Sequence, residues 1–466
     1  MTVRRLVVVG GGIAGLSAAW AVQRRAPEVR GGLEVVLLER GSEVGGKARS
    51  LDDHGWLVEA GPGGFLDGRP ELERVIAGSG LADERIPADA ASTRRFIYHA
   101  GRMREVSARP VAFARSGLLS AAGMLRLLAE PLIPARRDGG DESVWDFAAR
   151  RIGREAADHL VVPMALGIFA GDARRLSLPA AFPRMAALER DYGSLIKALI
   201  ARRGKTSTGR LASFREGLQT LPHAIARRGG FTVRCGAEVR ALVRPQTAED
   251  GMGCAWGVAV AGLREPLPAD AVVLAGEPFA MAALLRSHDP RAAAELDAIP
   301  CPPVTVVALG YDAAAAAAVP RGFGVLIARG EGFRALGNLW ESYLYPGRSP
   351  EGRLLIRAMY GGAVDPEAGA LPEDEVLALA RAEVARLYGI AAEPQFSHVV
   401  RWPRAIPQYQ LGHLDRVARI ERAVAALPGL AVAGNGLHGI AFADASASGV
   451  RAGERAVSRL IEGTPA

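Results

Sequence analysis

The sequence predicts an α/β chain built on a Rossmann-type parallel sheet, and three observations carry that prediction. A β-branched run from Arg5 to Val9 stops at Gly10, the pattern of a strand buried on both faces. Glycines at Gly10, Gly12 and Gly15 open a segment, Ile13 to Arg25, in which Leu16, Ala19, Trp20 and Val22 recur at helical spacing. A second apolar run, Leu33 to Leu38, then ends in Glu39. Strand, glycine turn, helix, second strand and terminal acid fall in the register of a βαβ dinucleotide-binding unit.

Each part has a physical reason. Gly10 permits the tight turn, Gly12 lets a pyrophosphate approach the backbone, and Gly15 lets helix and strand pack closely. The unpaired N–H groups of residues 11–15 (Gly11, Gly12, Ile13, Ala14, Gly15) face the phosphates, and Glu39 accepts hydrogen bonds from ribose hydroxyls. This motif does not separate NAD from FAD. A second glycine pair, Gly45-Gly46-Lys47, and the string Glu59-Ala60-Gly61-Pro62-Gly63-Gly64-Phe65 follow. Together they resemble the amine-oxidase-like FAD flavoproteins, which points to FAD.

Composition sets the limits. The chain has 466 residues, 49% apolar and 23% charged, with 56 Gly and 29 Pro. That describes two or three globular domains and excludes wholesale disorder or a fibrous repeat. Three cysteines, Cys235, Cys254 and Cys301, form no CxxC pair, so neither a disulfide scaffold nor structural zinc is expected, and no metal site. The formal net charge is +7, but all but three of the 57 basic residues (Lys47, Lys197, Lys205) are Arg. Such a bias reflects base composition, so no nucleic-acid partner is inferred from it. Position says more: from Ser92 to Arg154, 12 Arg face 6 acidic residues, a stretch that should attract an anionic surface.

The N-terminus imitates a signal peptide, yet glycines at Gly10, Gly12 and Gly15 have no use in a cleavable segment, and a cytoplasmic chain is expected. No stretch reaches ~18 uninterrupted apolar residues; Val111 to Pro134 is broken by Arg115, Arg126 and Glu130.

Further along, Glu71 to Leu81 reads as a short helix, and the region from Ser92 to Ile200 as mostly helical, punctuated by prolines. A helix to Arg227 and strands at Phe231 to Val243 and Ala271 to Ala275 mark a return to the first domain. Val304 to Leu309, Phe323 to Ile327 and Leu354 to Tyr360 read as strands, Glu373 to Leu387 as a helix. Leu430 to Ala433 is a last short strand before Gly434-Asn435, a Gly439-Ile440-Ala441-Phe442 turn and a helix from Ala443 to Ile461. The expected division assigns 1–75, 211–278 and 426–466 to an FAD-binding domain. An α+β substrate domain takes 76–91, 201–210 and 279–425, and a helical membrane-binding insertion takes 92–200.

Four strings make the resemblance specific: Arg95-Phe96-Ile97-Tyr98 with Gly101-Arg102, Gly167-Ile168-Phe169-Ala170-Gly171-Asp172, Gly322-Phe323-Gly324-Val325-Leu326, and Ile406-Pro407-Gln408-Tyr409 with Gly412-His413. They resemble oxygen-dependent protoporphyrinogen oxidases, the bacterial, myxobacterial-like members in particular, over essentially the whole chain. That resemblance implies oxidation of protoporphyrinogen IX to protoporphyrin IX in haem biosynthesis, by hydride transfer to flavin N5 and reoxidation by O₂ to give hydrogen peroxide. It implies a substrate site of Arg95, pairing with a propionate, Gly167, close to the macrocycle, and Phe323, Leu326, Leu339 and Met359, clamping the ring. For FAD it implies Gly10 to Gly15, Glu39, Arg40, Lys47, Gly61 to Gly64, Val239, Asn435 and Ile440 to Phe442.

No residue is identified as an acid/base catalyst. Asp172 reads as a loop-fixing residue and His413 as a structural hydrogen-bonder. Met124, Leu125, Leu127, Leu128 and Leu132 beside Arg115, Arg126, Arg136 and Arg137 are expected to form a monotopic face on the inner side of the cell membrane; domain packing explains the same pattern. A homodimer and handover of product to a ferrochelatase are compatible. The chain departs from the family at Ala443-Asp444-Ala445-Ser446 and at Gly63-Gly64. Three alternatives stay open: oxidation of coproporphyrinogen III by the same chemistry, an amine oxidase or carotenoid desaturase on the same scaffold, and a flavin-binding relative without catalysis.

Overall fold

A computed structural model of the chain describes residues 3–107, 109–136, 138–202, 209–244 and 255–462. Arg137, Lys205 and Cys254 lie outside them. Five parallel strands form the first sheet, in the order Thr232–Arg234, Leu33–Leu38, Arg4–Val9, Ala271–Leu274, Leu430–Val432. The expected helix Ile13–Arg25 is present with those bounds. It packs against the final helix, Phe442–Glu462, through small residues: a Cβ on Gly449 would stand 1.9 Å from the Ala14 carbonyl oxygen, and one on Gly453 2.5 Å from that of Ala18. Gly15 faces the turn just as closely, since a Cβ there would stand 1.9 Å from Gly10 O. These contacts bury Leu6, Val8, Leu16, Val22, Val273 and Val450 in one core.

The sequence-predicted strand Phe231 to Val243 is two strands. Thr232–Arg234 extends the parallel sheet, and Val239–Val243 joins a separate antiparallel sheet with Trp256–Val260 and Leu267–Ala269. The break has a local cause: Gly236 N and Ala237 N donate to Gly41 O and Glu39 O, both at 2.8 Å, which pulls the chain across the end of the first sheet.

A second, seven-stranded sheet runs Phe396–Trp402, Val304–Tyr311, Leu354–Gly361, Gly337–Trp340, Gly324–Ile327, Arg95–His99, Arg102–Glu105. Arg95–His99 and Arg102–Glu105 therefore belong to this sheet, although the sequence reading set residues 95–105 in the helical insertion; in an Arg-rich context their alternation was hidden. One face is closed by the helix Glu373–Tyr388 with Val376, Ala380 and Val384 against Val307, Ile356 and Tyr360. Helices begin at Pro110 and recur to Ala201, including Ala121–Leu128, Val144–Ile152, Val162–Phe169, Pro183–Tyr192 and Leu195–Ala201. That helical region has its own buried ion pair, Arg151 with Glu130, both fully buried.

Gly449→Val is expected to overpack the contact between the first and last helices and cost about 1–3 kcal/mol of unfolding free energy. A urea titration measures it as a lower midpoint at unchanged slope.

Candidate active site

The parallel strands end at Val9, Leu38, Leu274 and Val432, and the predicted cofactor residues gather outside those carboxyl ends, where open α/β sheets bind ligands. Gly10 takes a φ of +109°, available without strain only to glycine. Gly12 caps the first helix with no side-chain cap, no acidic residue follows in the first turn, and a Cβ built on Gly12 meets nothing within 4 Å. An uncapped helix start facing open space is what a pyrophosphate requires. Gly45 N donates to Gly11 O at 2.9 Å, and a Cβ on Gly61 would stand 2.2 Å from Lys47 O. The Gly10–Gly15, Gly45–Lys47 and Gly61–Gly64 segments are thereby contiguous.

Glu39 accepts from Gly11 N and Gly41 N, both at 2.6 Å. Each carboxylate oxygen is left with further acceptor capacity for a hydroxyl. Val239 lies just beyond the residues bonded to Glu39 and Gly41. Arg40 is exposed. Lys47 Nζ bonds Glu277 at 2.7 Å and the Ala405 carbonyl. Asn435 O accepts from Tyr409 Oη. Ile440, Ala441 and Phe442 lead into the last helix, with Phe442 stacked on Phe65 at 6.1 Å. In the departing string, Ser446 bonds Ser17 Oγ at 2.8 Å in the core, and Asp444 pairs with Arg69. These residues fit FAD.

The predicted substrate residues meet by register. Arg95, Gly324, Leu339 and Arg357 lie directly opposite one another across four strands, and Ile97, Leu326, Gly337 and Met359 form the next row. Side chains of paired residues share a face, and residues two apart share it too. Arg95, Leu326, Leu339 and Met359 therefore stand on one face, where Leu326, Leu339 and Met359 are only partly buried and Arg95 is exposed. Val325, Asn338, Trp340, Ala358 and Tyr360, pointing the other way, are buried. The Arg95 guanidinium sits 5.1 Å from the centroid of the Phe323 ring, a cation–π contact.

Gly167 lies above this face. A Cβ there would stand 2.4 Å from Leu326 Cδ2, so packing against Leu326 already asks for glycine at this position.

The two most discriminating strings are partners. Gln408 Nε2 donates to Phe169 O at 2.8 Å, Ser177 N donates to Tyr409 O at 2.8 Å, and Phe169 meets Tyr409 edge-on at 5.8 Å. Asp172 fixes its own loop by accepting from Arg174 N at 2.9 Å. His413 is fully buried, stacked on Tyr409 at 4.0 Å, with Nε2 3.2 Å from Leu437 O. Burial pushes its pKa down to about 4, so it is neutral near pH 7 and structural.

Sequence reasoning missed one group. Glu59, Glu341, Arg348 and Arg357 are buried together beneath the Gly61–Gly64 turn. Arg357 Nη2 lies 2.7 Å from Glu341 Oε1 and Arg348 Nη2 3.4 Å from Glu59 Oε1. Burial pushes the Glu59 carboxyl up to about 7, against the pull of Arg348, Ser50 and the Leu218 N–H. Glu59 belongs to the glycine-rich string Glu59 to Phe65; Arg348 and Arg357 carried no signal in a chain this rich in Arg.

A dinucleotide-binding parallel sheet joined to an apolar sheet face with a rim arginine defines a flavin-dependent oxidoreductase. The chain belongs to the flavin containing amine oxidoreductase family, whose model matches residues 13–457, and FAD is its cofactor. It is 28% identical to the coproporphyrinogen III oxidase of Bacillus subtilis (strain 168), over 98% of this chain and 99% of that protein. It is 31% identical to the chloroplastic protoporphyrinogen oxidase of Oryza sativa subsp. japonica, over 94% and 85%. Among solved structures, a chain from Exiguobacterium sp. 255-15, provisionally named a protoporphyrinogen oxidase, shares the fold with a TM-score of 0.84 at 23% identity, covering 98% of this chain and 99% of that one.

His413 yields a pH prediction. Its folded pKa lies below its unfolded value near 6.5, so below that pH the unfolded chain takes up a proton that the folded chain refuses until about pH 4. Stability is therefore lost as pH falls through this window, by up to about 3 kcal/mol from this group. Chemical unfolding of His413→Phe beside wild type from pH 7 to pH 4 should show the difference between them changing by that order, in that direction.

Proposed function

We propose that this chain is an oxygen-dependent porphyrinogen oxidase that converts protoporphyrinogen IX to protoporphyrin IX. The observation that carries the reading is the shared register of Arg95, Leu326, Leu339 and Met359 on one partly open sheet face. This face runs through Arg357 to the Gly61–Gly64 turn. A large, non-planar, largely apolar ring with carboxylates at its edge needs such a surface: aliphatic side chains against the ring and a guanidinium at the rim. Arg95 binds a propionate, Phe323 holds that guanidinium in place, and Leu326, Leu339 and Met359 orient the ring. FAD held by Gly10 to Gly15, Glu39, Lys47, Gly61 to Gly64, Val239, Asn435 and residues 440–442 supplies hydride acceptance, with O₂ as final oxidant and hydrogen peroxide as product. Because aromatisation drives the reaction, positioning outweighs a strong general base, in keeping with a neutral, buried His413 and a loop-bound Asp172.

The second reading is oxidation of coproporphyrinogen III. It is favoured by the end-to-end match with the Bacillus subtilis relative, which covers 98% of this chain and 99% of that protein. A side-by-side turnover assay with both porphyrinogens separates the two. Purified protein should be yellow and release peroxide with the preferred substrate; yellow protein giving neither peroxide nor fluorescent porphyrin with either one refutes both. Arg95→Ala should raise KM about tenfold or more, the loss of a charge-assisted hydrogen bond, with FAD still bound. An unchanged KM removes Arg95 from the site.

The helical region also contacts a membrane surface in this reading. Val111, Leu125, Leu128, Leu132, Leu199 and Ile200 are all exposed, Leu132 by 83%, and this number of exposed large apolar side chains in one region supports a membrane contact. Among the described residues no helix is long and apolar enough to cross a membrane; the contact in this reading is peripheral, on the inner face of the cell membrane. Met124 and Leu127 are partly buried, and Arg126 is spent on the carbonyls of Arg150 and Arg151, at 2.6 and 3.1 Å. The triple change Leu125→Ser, Leu128→Ser, Leu132→Ser should lower co-sedimentation with anionic vesicles at least about tenfold while leaving turnover of detergent-dispersed substrate intact.

A further inference from the structure

Three successive backbone carbonyls of the loop that precedes Gly63-Gly64 are captured by side chains from the seven-stranded sheet. Arg357 Nη1 donates to Glu59 O at 2.8 Å and to Gly61 O at 2.5 Å. Trp402 Nε1 donates to Ala60 O, between them, at 2.7 Å. The other terminal nitrogen of Arg357 pairs with Glu341 at 2.7 Å, and the two side chains are 4% and 1% exposed. The turn then lies directly on this group. A Cβ on Gly63 would stand 3.0 Å from Arg357 Nη2, and one on Gly64 would stand 2.2 Å from Tyr345 Oη.

Burying a guanidinium and a carboxylate is costly, and an apolar pair of similar volume would commonly hold a fold as well. Here the arginine does what no apolar residue can: Nη1 donates to two carbonyls while Nη2 stands 2.7 Å from the Glu341 carboxylate as its ion-pair partner. Arg357 also occupies the strand Leu354–Gly361 two residues before Met359, on the same face. We propose that Arg357 is a positioning residue that, with Trp402, clamps the Glu59–Gly61 backbone and thereby presets the Gly61–Gly64 turn for FAD. This rests on the reading of that turn as a cofactor loop. Through the clamp, the strand that orients the substrate ring and the loop that meets the cofactor become one rigid piece. At Gly64 a Cβ would collide with Tyr345 Oη and the Ala212 carbonyl, and at Gly63 it would press on Arg357, so glycine at both positions suits this packing.

The test is FAD affinity, measured by quenching of flavin fluorescence on titration into stripped protein, with the thermal midpoint of the same apo samples. Arg357→Lys keeps the charge but replaces the fork with a single ammonium, which cannot span both carbonyls and Glu341. Its FAD Kd should rise about tenfold or more, the worth of a lost charged hydrogen bond, with an apo midpoint close to wild type. Trp402→Phe, which removes one donor and keeps the ring, should raise Kd about threefold to tenfold and serves if Arg357→Lys does not fold. Glu341→Gln leaves both carbonyl bonds in place and should bind FAD within about threefold of wild type. The proposal is overturned if folded Arg357→Lys and Trp402→Phe both bind FAD as wild type does, or if Glu341→Gln loses FAD as severely as Arg357→Lys. Wild-type protein that binds no FAD would instead refute the cofactor reading itself, whatever the variants do.

Discussion

Three successive carbonyls, those of Glu59, Ala60 and Gly61, lie where the Gly61–Gly64 turn meets the seven-stranded sheet, and the proposed site depends on how they are satisfied. A loop that turns outside any helix or strand cannot complete its backbone hydrogen bonds in a ladder, and leaving its carbonyls dry would be costly. Side chains must supply the donors. Arg357 and Trp402 do so, and the glycine turn above them lies where a Cβ would press on Arg357 at Gly63 and collide with Tyr345 and the Ala212 carbonyl at Gly64.

From that junction the function extends in both directions. Toward the parallel sheet, glycine-for-space contacts repeat: Gly15 against Gly10, Gly449 against Ala14 and Gly453 against Ala18 draw the first and last helices over the strands, leaving the helix start at Gly12 open to an anion. Toward the second sheet, strand register delivers Leu339 and Met359 to the side of the sheet that holds Arg357. One ladder of hydrogen bonds therefore sets the distance between the face proposed to bind the ring and the loop proposed to meet FAD. The strings around Phe169 and Tyr409 serve a different end, welding the helical insertion to the loop that carries Asn435.

What was legible in the sequence was local. Gly10, Gly12, Gly15 and Glu39 announce their geometry because each turn constrains its own residues, and Ile13–Arg25 and Leu33–Leu38 take the expected bounds. Longer-range pairings were less readable. Arg95–His99 is a strand only because Gly324–Ile327 lies parallel beside it, and Gly337–Trp340 begins on a glycine that hides its alternation. The resemblance implied that Gly167 lies close to the macrocycle, whereas its immediate neighbour here is Leu326, which could be found only in three dimensions. Arg357 was invisible: with 57 basic residues, nearly all Arg, nothing along the chain separates a buried clamp from a solvated side chain.

The central claim is that a tetrapyrrole lying on the Leu326–Leu339–Met359 face passes electrons directly to FAD. Anaerobic mixing of the FAD-loaded protein with excess porphyrinogen in a stopped-flow instrument, following flavin absorbance and porphyrin fluorescence together, tests it most directly. The account predicts bleaching of the flavin band at a rate that saturates with porphyrinogen and at least matches turnover, with colour restored when oxygen is admitted. Flavin that stays oxidised while porphyrin accumulates, or that bleaches far more slowly than turnover, would contradict it.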